Sequence, residues 1–484
     1  MTSTITLPTW LFIVLVVLAL WALLDRLLVP GLRWYLRRKV NRVIREINTR
    51  LNIELPQFKL TRRRALVDRL FHDPKVQDAI TRECRDKGLP REVVAARVDR
   101  YAREIVPAFN AYFYFGAGYR LGKALARLLY RVRVGYADTQ ALAAVNPKSS
   151  VVFVMNHRSN MDYVLVAFLA AERVALSYAV GEWARVWPLQ QLIRSMGAYF
   201  VRRNSGDSLY RMVLQRYVQM AVEAGVPQAL YPEGGLSVDG RLRPPRLGLL
   251  DYMLKTFDPA GERDIVLIPV GINYDRVLED RTLLLKLDPA APRRGVLYAL
   301  ARTAAFVGSH LWLALTGRWH RFGYACVNFG SPLSMRDYVR RHGVDFRRLD
   351  EEARHTEVTR VGAQVMEAIA RIVPVLPVSL VATVFLAHRD AGLSELELKS
   401  RAYDLILRLE RIGAHIYVPR GDLDYAIGVG LRTLLLRRIV LEQEGLYRAS
   451  PGETELLAYY AHAIEPLIAA AGGLEPAVPV PHAA

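Results

Sequence analysis

The sequence predicts an α/β protein in which a mixed β-sheet is flanked by helices, with an N-terminal transmembrane helix and helical N- and C-terminal regions. Between about residues 150 and 330, short β-branched runs alternate with helical stretches, which is typical of strands joined by helical crossovers. Residues 7–24 form an 18-residue stretch without a charge. Apolar residues recur at helical spacing from residue 31 to about 136, and again from about 336 to 471.

The length of 484 residues exceeds what one hydrophobic core usually accommodates, so we expect several regions. The predicted regions are a transmembrane anchor at 1–30, a basic, largely helical membrane-proximal region at 31–136, an α/β domain at 137–335, and a mainly helical C-terminal region at 336–484 that ends in a disordered tail.

The apolar stretch at 7–24 is just long enough to span a bilayer, and Trp10 and Trp21 lie toward its ends. It lacks the basic start and the cleavage site of a signal peptide. Seven basic residues follow between Arg26 and Arg45, so the positive-inside rule predicts a single-pass protein of the cytoplasmic or inner membrane, with the rest of the chain in the cytoplasm. A buried or interfacial helix is the alternative interpretation.

Charge and composition favour anionic partners. Lys and Arg number 66 against 47 Asp and Glu, a formal charge of +19, while 52% of residues are hydrophobic. A basic and apolar chain fits an anionic membrane surface or anionic substrates better than nucleic acid, although residues 396–450 have a pattern compatible with a winged helix. The two cysteines, Cys84 and Cys326, have no metal-ligand spacing, so we expect neither a disulfide framework nor a metal site.

The α/β region contains six predicted strands. They are the runs 150–155, 173–180, 197–203, 227–232, 264–272 and 322–330. Helices are predicted at 160–171 and 207–224. Residues 296–317 are apolar enough for a second span, but Arg302 and His310 favour a packed or interfacial helix, because charges at bilayer depth are costly. Two prolines in 373–387 indicate a buried element there.

A polar turn, Asn-His-Arg-Ser-Asn at 156–160, joins the first of these strands to the next helix. On one continuous helix His157 and Asp162 would point about 140° apart, so they can meet only across such a turn. An imidazole held by a carboxylate can take a proton from a substrate hydroxyl. Alternatively, Asp162 caps its helix and His157 is a polar turn residue. Ser159 and Ser237 lack the G-x-S-x-G context of a hydrolase nucleophile.

Two further polar clusters follow predicted strands. Arg202 and Arg203 end one strand, and Glu233 with a Gly-Gly pair ends another. Arginine suits phosphate because its planar guanidinium can donate two hydrogen bonds at once, and glycine lets the backbone approach a ligand. Because strand ends in α/β sheets collect site residues, three such clusters favour one common site.

These segments resemble the four motifs of the glycerolipid acyltransferases, in the order of that family. They are HRSNMD at 157–162, GAYFVRR at 197–203, LYPEGGLS at 230–237 and VLIPVGINYD at 266–275. The first is most similar to the membrane-bound glycerol-3-phosphate acyltransferase branch. The resemblance implies that residues 137–335 form a glycerolipid acyltransferase-like catalytic domain.

The resemblance also implies a reaction. His157 would be the general base and Asp162 its orienting partner, and the 1-hydroxyl of glycerol 3-phosphate would attack the thioester of acyl-CoA or acyl carrier protein without a covalent acyl-enzyme. The product would be lysophosphatidic acid for phospholipid synthesis, with no cofactor beyond the acyl co-substrate. The implied phosphate-binding residues are Arg202 and Arg203, with Arg158 as a secondary candidate. Glu233, Gly234, Gly235 and Ser237 would shape the polyol end, Pro269 would line the acyl side, and Arg246 is a further substrate-binding position where the family pattern is also basic.

The third motif departs from the family pattern. Glycerol-3-phosphate acyltransferases usually read Glu-Gly-Gly-Arg-Ser-Arg, whereas this chain has Leu236 and Val238 in place of the two arginines. Arg241 and Arg246 are basic positions nearby. The departure leaves open the same chemistry on another acceptor, such as a lysophospholipid, dihydroxyacetone phosphate or an alcohol. A non-catalytic anionic-lipid-binding protein is the alternative from a different class.

Overall fold

The computed structural model describes residues 57–170, 176–181, 189–202, 205–287 and 321–473. In this part of the chain the predicted mixed sheet flanked by helices is confirmed. The predicted anchor at 1–30 and the apolar segment at 296–317 lie outside the described residues. Among the helices that are described, none combines the length and the apolarity needed to cross a bilayer.

Eight strands form the main sheet. They are β1 (Arg131–Ala137), β2 (Ser150–Met155), β3 (Ser177–Gly181), β4 (Tyr199–Val201), β5 (Gln228–Leu230), β6 (Ile265–Tyr274), β7 (Tyr324–Phe329) and β8 (Leu333–Ser334). Their order is β1-β7-β6-β2-β5-β3-β4, and β8 also pairs with β6. Strands β6, β2, β5, β3 and β4 run parallel to one another, whereas β7 is antiparallel to β6. The carboxyl ends of the five parallel strands therefore share one edge, called the site edge below.

The predicted strands are all present, and β2 has the predicted bounds. The main error is at residues 131–137, where the predicted helical region instead contains strand β1. Its apolar and arginine residues alternate with the period of two that suits a strand, and it pairs in parallel with β7. A second sheet, missed in the C-terminal region, is the hairpin of β9 (Val440–Gln443) and β10 (Leu446–Ala449).

Helices precede, flank and follow the sheet. The N-terminal ones are α1 (Gln57–Leu60), α2 (Arg63–Phe71), α3 (Pro74–Lys87), α4 (Arg91–Ile105), α5 (Ala111–Phe113), followed by one π-helical turn at Tyr114–Gly118, and α6 (Tyr119–Leu129). Those between strands are α7 (Thr139–Ala143), α8 (Met161–Ala170), α9 (Leu189–Ser195), α10 (Ser208–Glu223), α11 (Gly248–Leu254) and α12 (Asp280–Leu284). The C-terminal ones are α13 (Met335–His342), α14 (Glu351–Ile372), α15 (Pro377–Ala387), α16 (Glu395–Arg411), α17 (Leu423–Leu436), α18 (Thr454–Ala461) and α19 (Glu465–Ala470).

Local capping explains several of these boundaries. Helix α10 begins where the Asp207 side chain accepts hydrogen bonds from two backbone N–H groups, and α16 begins at a reciprocal capping box between Ser394 and Glu397. Helix α15 is the buried element predicted at 373–387, and it starts with Pro377 at its first position. One hydrophobic cluster extends from Phe58 to Ile468, so the N-terminal helices, the sheet and the C-terminal helices share a core.

Candidate active site

The turn at 156–160 begins where β2 reaches the site edge. The Asn156 side chain extends the pairing of β2 with β6: its Nδ2 donates to the carbonyl of Ile272 at 2.9 Å, and its Oδ1 accepts from the N–H of Ile272 at 2.7 Å. This amide replaces one residue of the backbone ladder. The chain can therefore leave the sheet at His157 without losing a buried hydrogen bond.

His157 and Asp162 meet across this turn. The imidazole Nδ1 lies 2.9 Å from Oδ2 of Asp162, which also accepts the backbone N–H groups of Arg158 and Ser159 at 2.7 and 3.1 Å. Oδ1 accepts the Tyr274 hydroxyl at 2.6 Å. Asp162 thus orders the turn and orients the imidazole together. With Nδ1 donating to Asp162, Nε2 carries the lone pair, and it has no hydrogen-bond partner among the described residues.

Two aromatic rings enclose the imidazole. Tyr231 lies with its ring centroid 4.2 Å from that of His157, and Tyr163 packs edge-on at 5.4 Å. His157 is only 2% exposed and Asp162 is fully buried. Burial raises the pKa of Tyr231 and of Tyr274 well above its usual value, so both phenols keep their protons at neutral pH. This enclosure shields almost all of the His157 side chain from solvent.

Glu233 holds the backbone of His157. Its Oε1 accepts the His157 N–H at 2.8 Å, and its Oε2 accepts the Arg243 N–H at 3.0 Å. Burial raises the pKa of Glu233 to about 7, against the opposing effect of these two hydrogen bonds. The N–H of Ser237 donates to the carbonyl of His157 at 2.9 Å, and its hydroxyl donates to the Arg241 carbonyl at 2.8 Å. Glu233 and Ser237 therefore hydrogen-bond the backbone N–H and the carbonyl of His157, respectively.

Gly234 and Gly235 allow residues 232–246 to fold back on themselves as a compact loop. Gly234 has a positive φ of 67°, and an added Cβ would lie 2.5 Å from Cδ of Arg246. Arg246 is exposed, and its backbone N–H donates to the carbonyl of Pro232 at 2.7 Å. Gly235 is buried in the same turn. A side chain at position 234 would therefore push the Arg246 segment away from Glu233.

Arg158 is the only predicted phosphate-binding arginine in the described part of the chain that lies within the turn. Arg158 is 3% exposed, and its guanidinium donates from Nη1 to the Gly240 carbonyl and lies 4.8 Å from the Tyr459 ring centroid. Its Nε and Nη2 have no hydrogen-bond partner among the described residues. A buried guanidinium with two open donors can bind an anion.

Arg202 lies at the end of β4 but is bound by another side chain. Its Nε and Nη2 donate to the two carboxylate oxygens of Glu104 at 2.8 and 2.6 Å, and Tyr101 and Tyr210 pack against it. The hydrogen bonds to Glu104 raise the pKa of Arg202 further above its usual value. Arg203 lies outside the described residues. The second motif thus ties α4 to the sheet through Arg202.

Leu236 and Val238 replace two expected arginines with half-buried side chains that pack against the hydrophobic core. Arg241, a nearby basic residue, is engaged elsewhere: its Nε lies 2.8 Å from Glu465, and its Nη2 lies 2.8 Å from Nε2 of His462. The third-motif loop is thereby attached to the C-terminal region rather than open to a ligand at these positions.

Pro269 is buried in the middle of β6, opposite Val154 of β2. It lies between the part of β6 that pairs with β8 and the part that pairs with β7, and its carbonyl accepts the N–H of Gly330 at 2.9 Å. The missing N–H of proline falls where the ladder changes partner, so no hydrogen bond is lost. Its position here is explained by the sheet.

Glu279 is a site residue that the sequence did not indicate. Its Oε2 accepts the Ser159 hydroxyl at 2.8 Å, and its Oε1 accepts the backbone N–H and Nδ2 of Asn160 at 3.2 and 3.0 Å. Burial raises the pKa of Glu279. No spacing rule links residues 159 and 279, and the weak signal is that Glu279 follows the fourth motif closely.

Comparison with known proteins shows similarity in two segments of the chain. Residues 137–273 match the family model described as Acyltransferase, and residues 310–468 match the model described as Glycerol-3-phosphate acyltransferase C-terminal region. Over these two segments the chain is similar to acyltransferases and to the C-terminal region of glycerol-3-phosphate acyltransferases. The acyltransferase match contains the His157 turn, and the C-terminal match contains α18, whose Tyr459 packs on Arg158.

Curated relatives with the name glycerol-3-phosphate acyltransferase include three from different species. The Actinobacillus succinogenes protein is 26% identical, and the match covers 90% of this chain and 53% of that protein. The Pseudomonas entomophila protein is 28% identical, with 80% of this chain and 46% of that protein covered. The Pseudomonas paraeruginosa protein is 30% identical, with 77% of this chain and 44% of that protein covered. The chain spans about half the length of these relatives. A solved 1-acyl-sn-glycerophosphate acyltransferase from Thermotoga maritima aligns with 52% of this chain and 78% of its own, at 18% identity and a TM-score of 0.31.

Proposed function

We propose that this protein transfers a fatty acyl group from an acyl thioester, either acyl-CoA or acyl carrier protein, to the 1-hydroxyl of glycerol 3-phosphate. The observation that carries the proposal is the pairing of His157 Nδ1 with Asp162 at the site edge, which leaves Nε2 as a proton acceptor. The relatives are named for this acceptor, and the acyltransferase match contains both residues.

The geometry supports a direct transfer. Nε2 of His157 takes the proton as the hydroxyl oxygen attacks the thioester carbonyl, and the C–S bond of the tetrahedral intermediate then breaks. The departing sulfur takes the proton back from the imidazolium, so the enzyme ends unchanged. Asp162 holds the imidazole in the reactive tautomer and favours its transient positive charge.

Arg158 is the best candidate for the acceptor phosphate. It adjoins His157 and has two donors without partners among the described residues. Arg202 is held by Glu104, and Arg246 is exposed beside Gly234. We therefore assign the acceptor phosphate to Arg158.

A second acceptor is supported by one observation. Leu236 and Val238 pack into the core where the family pattern has two cations, so the acceptor end carries less positive charge than that pattern supplies. A lysophospholipid, dihydroxyacetone phosphate or an alcohol would undergo the same chemistry. We further propose a single-pass membrane location, with the apolar stretch at 7–24 as the anchor and the catalytic domain in the cytoplasm.

A labelled acyl-CoA and an acyl carrier protein donor, each offered with glycerol 3-phosphate and the other acceptors, test the proposal. His157→Ala should lower kcat/KM by about 10³-fold, in the range of general-base removal. His355→Ala, at an exposed histidine of α14, is the matched control. Undiminished transfer by His157→Ala would overturn the mechanism, and transfer only to another acceptor would replace glycerol 3-phosphate.

A further inference from the structure

Three buried polar groups on the Arg158 side of the turn have no hydrogen-bond partner among the described residues. Two are Nε and Nη2 of Arg158, and the third is the hydroxyl of Tyr459, a residue of α18 in the C-terminal region. They are called the open donors below. Arg158 is 3% exposed and Tyr459 is fully buried. Buried polar groups without partners are rare in folded proteins, and a bound ligand, ion or water is their ordinary explanation.

The open donors lie close to one another. The guanidinium carbon of Arg158 is 4.8 Å from the centroid of the Tyr459 ring. Burial raises the pKa of the Tyr459 hydroxyl, and Arg158 is the charged group that acts on this pKa most strongly, in the opposite direction. The hydroxyl is therefore near the guanidinium and keeps its proton at neutral pH, so it can donate a hydrogen bond.

The carboxylates around the open donors have other partners. Asp280 lies 2.7 Å from Nη2 of Arg437, and Glu279 accepts three hydrogen bonds from the turn. The Arg158 guanidinium forms no ion pair with a residue that the structure describes, and its one hydrogen bond there goes to the Gly240 carbonyl. Its positive charge is therefore available to a ligand, and the ligand that best suits a buried, unpaired guanidinium is an anion.

We propose that the Tyr459 hydroxyl binds the phosphate of the acceptor together with Nε and Nη2 of Arg158, so that the C-terminal region supplies one group of the acceptor site. The inference rests on the proposed function, because it takes the acceptor phosphate as the anion. The two guanidinium donors and the phenol donor are three groups that phosphate oxygens can accept from. An acceptor without a phosphate would leave all three unpaired, so Tyr459 contributes to the selection of phosphorylated acceptors.

Tyr459→Phe tests the proposal, since it removes the hydroxyl and keeps the ring that packs on Arg158. Binding of glycerol 3-phosphate to the full chain is measured by calorimetry without an acyl donor, so that no turnover occurs. We expect the Kd for glycerol 3-phosphate to rise by about tenfold, as for the loss of one hydrogen bond to a charged group, and inorganic phosphate to compete about tenfold less well. The thermal unfolding midpoint of the free protein should not fall, because a hydroxyl without a partner contributes no hydrogen bond to the fold.

Tyr338→Phe is the matched control. Tyr338 is a 2% exposed residue of α13, and its hydroxyl donates to Glu357 at 2.5 Å. Here the hydroxyl has a partner within the protein and lies outside the turn and the third-motif loop. The control should therefore show the opposite pattern, with a lower unfolding midpoint and an unchanged Kd for glycerol 3-phosphate.

An unchanged Kd for Tyr459→Phe, in a chain whose wild type transfers acyl groups to glycerol 3-phosphate, would overturn the inference and leave the proposed function intact. Weaker binding of glycerol 3-phosphate with undiminished competition by inorganic phosphate would place the hydroxyl at the polyol and overturn the assignment to phosphate. Failure of the proposed function is seen separately, as the absence of acyl transfer to glycerol 3-phosphate by the wild type.

Discussion

At the scale of single residues, Glu233 connects the chemistry of the site to its stability. It is buried and accepts hydrogen bonds from the backbone N–H groups of His157 and Arg243. Burial raises its pKa to about 7 from an ordinary 4.5. The unfolded chain therefore loses this proton at a lower pH than the folded chain does. The contribution of protonated Glu233 to the stability of the folded state is complete below about pH 4.5 and is lost as the pH rises through about 7.

Replacing Glu233 by Gln should remove this pH dependence. The amide cannot accept from both N–H groups, so the variant should be less stable than the wild type at pH 5. Only the wild type loses stability when residue 233 ionises. The difference in free energy of unfolding between the two proteins should therefore shrink by up to about 3 kcal/mol by pH 7.5, since one pKa unit corresponds to about 1.4 kcal/mol. Thermal unfolding midpoints of both proteins across this range check the prediction. A difference that is constant with pH would contradict it.

Enzyme kinetics can distinguish the role of Arg158 from that of Arg202. Lysine keeps the charge but loses the planar pair of donors, so Arg158→Lys should raise the KM for glycerol 3-phosphate by about tenfold and leave the KM for acyl-CoA unchanged. Arg202→Lys should mainly lower the thermal unfolding midpoint, because it weakens the bidentate pair with Glu104. A larger rise in the KM for glycerol 3-phosphate with Arg202→Lys would assign the phosphate to the second motif instead.

At the scale of secondary-structure elements, α12 connects the turn that carries His157 to the C-terminal helices. Glu279, which immediately precedes α12, binds Ser159 and Asn160 of the turn. The next residue, Asp280, binds the Tyr460 hydroxyl and lies 2.7 Å from Nη2 of Arg437. Two adjacent carboxylates thus hold the turn on one side and α18 and the end of α17 on the other.

Helix α18 also contacts the turn and the third-motif loop directly. Tyr459 packs on Arg158, and a Cβ added at Gly240 would overlap the Tyr459 carbonyl, so this glycine permits the close approach. His462 Nδ1 lies 2.9 Å from the carbonyl of Asp239. The C-terminal region therefore packs against the Arg158 side of the turn and the third-motif loop, while its described residues make no hydrogen bond to the His157 or Asp162 side chain.

Tyr460→Phe tests this support. The hydroxyl joins Asp280, Arg437 and the N–H of Val277, so its loss should loosen the turn through Glu279 and lower kcat by about tenfold, while KM for both substrates changes little. Tyr403→Phe, which removes an exposed hydroxyl bonded to Asp424 on the far helices, is the control. A lower unfolding midpoint with unchanged kcat, measured where both variants are folded, would limit Tyr460 to a structural role.

Local patterns in the sequence predicted the elements that carry the site. The β-branched run before residue 156 and the apolar helix after it required a turn between them, and His157 and Asp162 meet there. Strand β1 was missed because a short run of alternating arginines and valines within a helical region is ambiguous until β7 pairs with it. The contacts of Glu279 with the turn and of Arg202 with Glu104 join residues that are far apart in the sequence. Hydrophobic periodicity is a local pattern and does not predict such contacts.

At the scale of the whole molecule, the stretch from the end of α14 to the first turn of α15 hydrogen-bonds buried polar groups of the sheet and of the residue that follows β6. Asn328 Nδ2 donates to the Ile372 carbonyl at 2.8 Å, and Asn273 Nδ2 donates to the Pro374 carbonyl at 2.9 Å. Asp275 accepts the Val378 N–H at 3.1 Å, and burial raises its pKa to about 7. The sheet residues beside the site therefore depend on the C-terminal region for their hydrogen bonds.

Truncation should reveal this dependence. A variant that ends at Ser334 loses these three hydrogen bonds, each worth about 0.5–1.5 kcal/mol, and exposes the part of the core that α14 and α15 cover. We expect it to lack a cooperative thermal transition and acyl transfer. A variant that ends at Gly473 keeps every contact described and should match the full chain in both measurements. If the shorter variant unfolded cooperatively and transferred acyl groups, the catalytic domain would fold alone, and the shared core would stabilise the site without being required for it.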